Sequence, residues 1–302
     1  MVVEIQGLTV KYRNFVAVDN ISFGVAPGEI FGIIGPNGAG KTSAMECLEG
    51  LNKPAGGQIN VLGIDPANRK ALYNHIGVQL QEASFPNLIK VEELCRLFSN
   101  FYKNPADYHM LLERFGLADR KKSYIKKLSG GQKQKVSIIA ALIANPQIVF
   151  LDELTTGLDP QARIDMWELI RSLRDEGKTV LMTTHYMEEA EYLCDRVCVM
   201  SKGKIVAMGT VKALIEQAGL SQKIRFLSRD AKKPGLMEID HVTDVNIHDG
   251  VVELYGTGKN LLRDVTVYLT EHRIEFEDLS SKNPGLEDVF LKLTGFRLEE
   301  SV

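Results

Sequence analysis

The sequence predicts an α/β fold with a parallel core sheet, an antiparallel β subdomain ahead of it, a helical subdomain inserted in it, and a small α+β domain after it. Three observations carry this expectation. Apolar strands alternate with helical patterns between about residues 29 and 200, the order that builds a parallel sheet with crossover helices. A glycine-rich loop joins one of these strands to a helix. From about Ser221 the character of the chain shifts and a separate set of strands and helices begins. At 302 residues the chain exceeds one average domain, so a large domain followed by a smaller one is the natural division.

Taken in order, residues 2–5, 8–10 and 21–25 read as short strands separated by Gly, Asn and Pro turn signals, which predicts a small, largely antiparallel sheet. Residues 29–34 form a compact apolar strand, and after the glycine-rich loop Met45, Leu48 and Leu51 share one helical face. The period then changes. Leu94, Leu97, Phe98 and Phe101 form one helical stripe, and Tyr108, Leu111, Leu112 and Phe115 another, so a helical insertion is placed at about residues 82–140. Strands return at residues 147–151 and 179–183 around a helix at 161–176, with a further strand near 197–200. In the tail, strands are expected at residues 223–227, 242–247 and 251–255, the last two joined by Asp249-Gly250, a strong hairpin signal. A helix at 261–272, a strand near 274–278 and a helix at 286–293 complete that unit. The boundary is placed near Gly219, giving domains 1–219 and 220–302.

Composition narrows the function. With 44% hydrophobic and 25% charged residues the chain is an ordinary globular protein. A net charge of -3 provides no basic field, so nucleic acid is not expected as a partner. The longest apolar run, residues 136–144, is too short to span a bilayer. The amino terminus has no secretory pattern, so the cytoplasm is the expected compartment. Cys47, Cys95, Cys194 and Cys198 lack a zinc spacing and read as reduced, buried small hydrophobes.

Gly35-Pro36-Asn37-Gly38-Ala39-Gly40-Lys41-Thr42 fits the phosphate-loop pattern, after a strand and before a helix. Its glycines allow successive amides to turn inward onto phosphate oxygens, aided by the positive helix end. Lys41 can reach the β and γ phosphates, and the Thr42 hydroxyl suits Mg²⁺. Asp152-Glu153 ends the strand at 147–151, at the sheet edge where the ligand crevice is expected. Asp152 would hold the hydrated metal and Glu153 would polarise an attacking water, although acids also cap helices after strands. Leu128-Ser129-Gly130-Gly131-Gln132 opens an apolar helical run, where a plain N-cap is an equally good reading of these residues alone.

Together these five residues, the phosphate loop and Asp152-Glu153 closely resemble the motifs of ATP-binding cassette ATPases, over roughly the first seven tenths of the chain. The resemblance implies a P-loop NTPase cassette whose cofactors are ATP and Mg²⁺. It implies that residues 35–42 and Ser43 hold the nucleotide, that Tyr12 stacks on adenine, and that Gln81 senses Mg²⁺ and γ-phosphate, with Gln79 the nearby alternative. Asp159 corresponds to the aspartate that communicates between two subunits, and His185 to the switch histidine contacting γ-phosphate. Ser129, Gly131 and Gln132 would face the nucleotide of an opposite subunit. Leu154 stands where proline usually follows the catalytic glutamate, and Lys135 where arginine is usual.

The implied partners are a second cassette, as homodimer or paired subunit, and an integral membrane permease that would hold the chain on the inner face of the membrane. One phosphate loop and no coiled coil weigh against translation and DNA-repair relatives, and Glu153 with His185 weighs against a module that binds without turnover. The stretch from Gly285 to Gly295 resembles the end of ATPase subunits of drug, antibiotic or polysaccharide exporters, so export is the expected direction.

Overall fold

The computed structural model describes residues 1–79 and 85–295, in two compact units that divide between Val211 and Lys212. The boundary expected from the sequence lies slightly later, near Gly219.

The first unit opens with β1 (Val3–Tyr12) and β2 (Phe15–Val25), followed by β3 (Ile30–Ile34), α1 (Lys41–Leu48), β4 (Gly56–Val61), α2 (Arg69–Leu72) and β5 (Ile76–Gln79). Strands β2, β1 and β4 form an antiparallel sheet in that order. The two short strands expected before residue 11 are one strand, because a register shift between Ile5 and Leu8 accommodates the turn residues without ending the pairing. The helical insertion follows as α3 (Val91–Ser99), α4 (Tyr108–Arg114) and α5 (Gly130–Leu142). Val91, Leu94 and Cys95 form the buried stripe of α3, whereas Leu97 and Phe101 lie on the exposed side.

The core then completes itself through β6 (Ile148–Asp152), α6 (Pro160–Asp175), β7 (Thr179–Thr184), α7 (Met187–Leu193), β8 (Arg196–Ser201) and β9 (Lys204–Gly209). The large sheet runs β5-β6-β7-β3-β8-β9, parallel except for β9. Every residue of β3, β6 and β7 is buried, which is why β3 and residues 148–151 of β6 read as continuous apolar runs rather than alternating ones. The fold class matches the sequence expectation.

The second unit contains most of α8 (Val211–Ala218), then β10 (Gln222–Leu227), α9 (Lys233–Leu236), β11 (Val242–His248), β12 (Val251–Gly256), α10 (Leu261–Glu271), β13 (Glu277–Lys282) and α11 (Leu286–Thr294). Its antiparallel sheet has the order β11-β12-β10-β13, and Ile224, Phe226, Val245, Val252 and Leu254 pack with Leu236, Leu261, Val265 and Leu269. Asp249 and Gly250 both have positive φ, 50° and 78°, as a two-residue hairpin turn requires. The strand expected near 274–278 begins instead at Glu277: Ile274 closes the end of α10 through its N–H to Leu269 O, and Phe276 is absorbed by the core before pairing starts.

Candidate functional site

The topology brings three loops to one edge of the large sheet. Strands β6, β7 and β3 are neighbours, with Asp152 opposite Thr183 and Ile34 opposite Thr184. The loop leaving β3, the acidic pair ending β6 and His185 after β7 therefore share the carboxyl edge, where open α/β sheets present their ligand crevice.

Backbone proximity shapes the phosphate loop. A Cβ on Gly35 would lie 2.2 Å from Met200 O, and one on Gly40, at φ +99°, 2.3 Å from Ala17 O, so neither position accepts a side chain. Ala39 donates to Pro36 O at 3.2 Å and accepts from Gly203 N–H at 3.0 Å, while Asn37 and Gly38 form the exposed crest. Gly40 then caps α1 in a left-handed conformation, leaving the first amides of the helix directed toward the loop.

Lys41 is only 4% exposed. Its ammonium donates to Gly35 O at 2.9 Å and Pro36 O at 3.1 Å and pairs with Glu153 Oε1 at 3.2 Å. Glu153 Oε2 lies 3.5 Å from His185 Nδ1. Lysine, glutamate and histidine thus form a continuous line across the crevice. The Glu153 backbone has φ 45°, a conformation unfavourable for a residue with a Cβ, and its N–H is held by Thr183 Oγ1 at 3.1 Å.

Asp152 accepts from the Thr42 hydroxyl at 3.4 Å and from the Thr183 hydroxyl. Burial pushes its carboxyl above the usual carboxylate range, the two hydroxyl bonds oppose that rise, and Glu153 reinforces it. Two adjacent buried carboxylates beside one hydroxyl form a hard-oxygen set suited to a cation that takes its remaining ligands from phosphates and water, as Mg²⁺ does. Among the described residues no group of three or more His, Cys, Asp and Glu side chains could hold a metal by itself.

The other candidates lie farther out. Tyr12 is partly exposed, and its hydroxyl accepts from Asn52 Nδ2 at 2.7 Å and sits 3.3 Å from both Ser43 Oγ and Glu46 Oε2. Ser129 caps α5 in a reciprocal box with Gln132. Among the described residues no hydrogen bond or ion pair joins Ser129, Gly131 or Gln132 to the phosphate loop. Gly131 instead approaches Leu158 and Ala162, beside Asp159, which caps α6 by accepting from Ala162 N–H at 2.9 Å. Gln81 lies outside the described residues, and Gln79 is the buried last residue of β5. Leu154 is buried directly after Glu153. A cavity of about 660 Å³ lined by Cys47, Asn52, Gln58 and Arg69 carries none of the phosphate-loop residues, so chemistry rather than concavity locates the site.

Sequence reading missed Glu49, which follows α1, is 1% exposed and has an Oε1 without a hydrogen-bond partner. A glutamate at a helix end is ordinarily solvated, and only the packing behind α1 makes this one different. Burial, with the Asp152 and Glu46 charges adding to it, raises its carboxyl to about 8. Between the unfolded value of about 4.3 and that folded value, the native chain holds the extra proton. Stability from this group is therefore fully present below the lower value and is lost as pH rises through the upper one. Glu49→Gln is expected to flatten the decline of Tm between about pH 4 and about pH 8. Identical Tm profiles for the two chains would exclude a buried, protonated Glu49.

Comparison with known proteins gives a consistent picture. The family model described as ABC transporter matches residues 18–156. A Nod factor export ATP-binding protein I from Mesorhizobium japonicum is 36% identical over 304 residues, covering 99% of this chain and 88% of that protein. A daunorubicin resistance ATP-binding protein from Streptomyces coeruleorubidus is 35% identical over 304 residues, covering 97% and 96%. Among solved structures, an ATP-binding subunit of an ABC transporter aligns with a TM-score of 0.66 and 28% identity, over 72% of this chain and 94% of that one. A dimeric cassette bound to ADP and phosphate, MJ0796, aligns at 0.63 over 69% of this chain and 98% of that one; at 24% identity it shows likeness of fold.

Proposed function

Because this chain belongs to the ABC transporter family and is an ATP-binding, ATP-hydrolysing subunit of it, we propose that its catalytic centre is the Lys41–Glu153–His185 line, completed by a second cassette. The observation that carries the reading is the convergence of these residues at 3.2 and 3.5 Å on adjacent strand ends. Inward amides of the phosphate loop, Pro36 excepted, bind the phosphates, with Lys41 neutralising the β and γ groups. Lys41 turned onto phosphate leaves Glu153 Oε1 able to accept a proton from the attacking water. His185 stands on the other side of Glu153, in place to contact γ-phosphate. Thr42 and Asp152 would hold Mg²⁺, and Mg²⁺ supplies charge neutralisation on the phosphate oxygens.

Ser129 and Gly131 are exposed or half-exposed at a helix N-terminus, which supports their use by the nucleotide of a partner cassette. Closure of such a pair depends on γ-phosphate, and hydrolysis releases it. No described helix is long and apolar enough to cross a membrane. A separate permease serves as the membrane partner in this reading and holds the chain on the inner membrane face. Leu97 at 45% and Phe101 at 67% exposure, with Leu88 nearby in sequence, support the helical insertion as its docking surface. The names of the relatives support export as the direction. The second unit, which carries none of the nucleotide motifs, serves as an accessory to pairing or coupling.

The test is phosphate release from ATP by the purified chain. Release is expected with Mg²⁺ and is expected to disappear with a chelator, returning on readdition. Metal-independent release would contradict the roles given to Thr42 and Asp152.

A further inference from the structure

Glu189, like Glu49, is a deeply buried carboxylate near the site that the mechanism does not use. It is 1% exposed, on α7, one helical turn beyond His185. Its Oε1 accepts from Trp167 Nε1 of α6 at 3.0 Å. Burial raises its carboxyl, and the hydroxyls of Thr184 and Thr155, the Trp167 N–H and the Arg163 charge oppose that rise. These four neighbours come from different parts of the machinery. Thr184 ends β7 immediately before His185, Thr155 follows Glu153 by two residues, and Arg163 and Trp167 lie on the helix capped by Asp159.

Ring contacts carry the connection back to the site. The Arg163 guanidinium lies 4.4 Å from the centroid of the Tyr186 ring, and Tyr186 packs on the His185 ring at 4.1 Å. The Tyr186 N–H is held by Thr184 Oγ1 at 3.0 Å, so the turn carrying His185 is gripped at both side chain and backbone. The packing is nevertheless incomplete. Glu189 Oε2, Thr155 Oγ1 and Arg163 Nε are all buried, and the Thr155 hydroxyl approaches Glu189 without reaching hydrogen-bond geometry. Buried polar atoms are normally paired, and leaving one unpaired costs about 1–3 kcal/mol. A shift of α6 against α7 that brought Arg163 onto Glu189 Oε2 would satisfy two of them together.

We infer that Glu189 is a positioning residue for hydrolysis: tied to α6 by Trp167 and drawing on Arg163 by its charge, it lets movement of the Asp159 helix pass through the Arg163–Tyr186 stack to the His185 ring beside Glu153. The inference rests on the ATPase reading and adds to it a physical link between the segment that would face the partner cassette and the switch histidine. Such a link requires a carboxylate here. A glutamine preserves volume and an acceptor for Trp167 but lacks the charge that draws on the guanidinium.

The experiment measures steady-state hydrolysis, KM for ATP and Tm for the full chain and for Glu189→Gln, Arg163→Met, Arg163→Lys and the Glu189→Gln/Arg163→Met pair. Both single neutral variants are expected to lose about 10-fold to 10²-fold in kcat, the scale of an ångström-sized misplacement of a catalytic group. KM is expected to stay within about twofold, because ground-state binding is untouched. Arg163→Lys should recover most of the rate, and the double variant should be no slower than either single. Wild-type kcat in Glu189→Gln, or losses that multiply in the double variant, would overturn the inference, as would a fall in Tm with kcat unchanged. A wild-type chain without Mg²⁺-dependent hydrolysis would instead fail the ATPase reading, so the two failures are distinguishable.

Discussion

Glu153→Gln is expected to bind ATP and to turn it over about 10²–10⁴-fold more slowly, the usual contribution of a positioned general base. The geometry makes this substitution clean. Glu153 is 8% exposed, held at its backbone by Thr183, and fixed between Lys41 at 3.2 Å and His185 at 3.5 Å. A glutamine fills the same space and preserves the backbone bonds, but its amide does not take a proton from water. It also removes a negative charge beside Asp152, so repulsion of the incoming phosphates falls and affinity is expected to hold or rise. With γ-phosphate bound and not hydrolysed, the closed pair should accumulate and be visible by size-exclusion chromatography. Near-normal phosphate release by this variant would remove Glu153 from the role of base.

Lys41→Ala and Ser129→Arg should abolish activity by different routes. Lys41 supplies the buried positive charge of the phosphate loop, and charge-assisted hydrogen bonds are each worth about 1.5–3 kcal/mol, so ATP affinity should fall by at least about 10-fold. The loss is compounded because Glu153 and Asp152 then face each other without the lysine that compensates them. Ser129 is exposed, at the start of α5 and unconnected to the loop of its own chain. Arginine there removes a helix cap, at about 0.5–2 kcal/mol, and places bulk and charge on the face offered to a partner. ATP binding by the single chain should be spared while turnover is lost, because the arginine spoils the site it would complete on its partner. Calorimetric titration with ATP separates the two: equal affinities for both variants would contradict the assignment of Lys41.

Much of this arrangement is written locally. The phosphate loop is legible because its backbone demands glycines where Met200 O and Ala17 O approach, and because lysine and threonine serve no purpose in an ordinary turn. The strands β3 and β6 are legible because burial on both faces makes residues 30–34 and 148–151 continuously apolar. Strand β4 was not anticipated, since Gly56-Gly57-Gln58 carries no apolar alternation and is held in place by its pairing with β1. The apolar stripe of α3 was visible, but the sequence pattern does not separate residues facing a core from residues such as Phe101 that face outward. The burial of Glu49 and Glu189 was not legible for a related reason. A charged residue on a helix is solvated by default, and only tertiary packing turns it into a buried carboxylate.

The central claim is that each hydrolytic site is built by two copies of the chain, the phosphate loop from one and Ser129 with Gly131 from the other. Mixing Lys41→Ala with Ser129→Arg tests it most directly, because each variant alone is expected to be inactive. In a mixed pair both defects fall in one site and the second site is intact. Random pairing of equal amounts makes half the pairs mixed, so about a quarter of the wild-type sites should be restored. Phosphate release rising on mixing toward that level is the result expected here. A mixture as inactive as its components, with mixed pairs shown to form, would contradict the shared site.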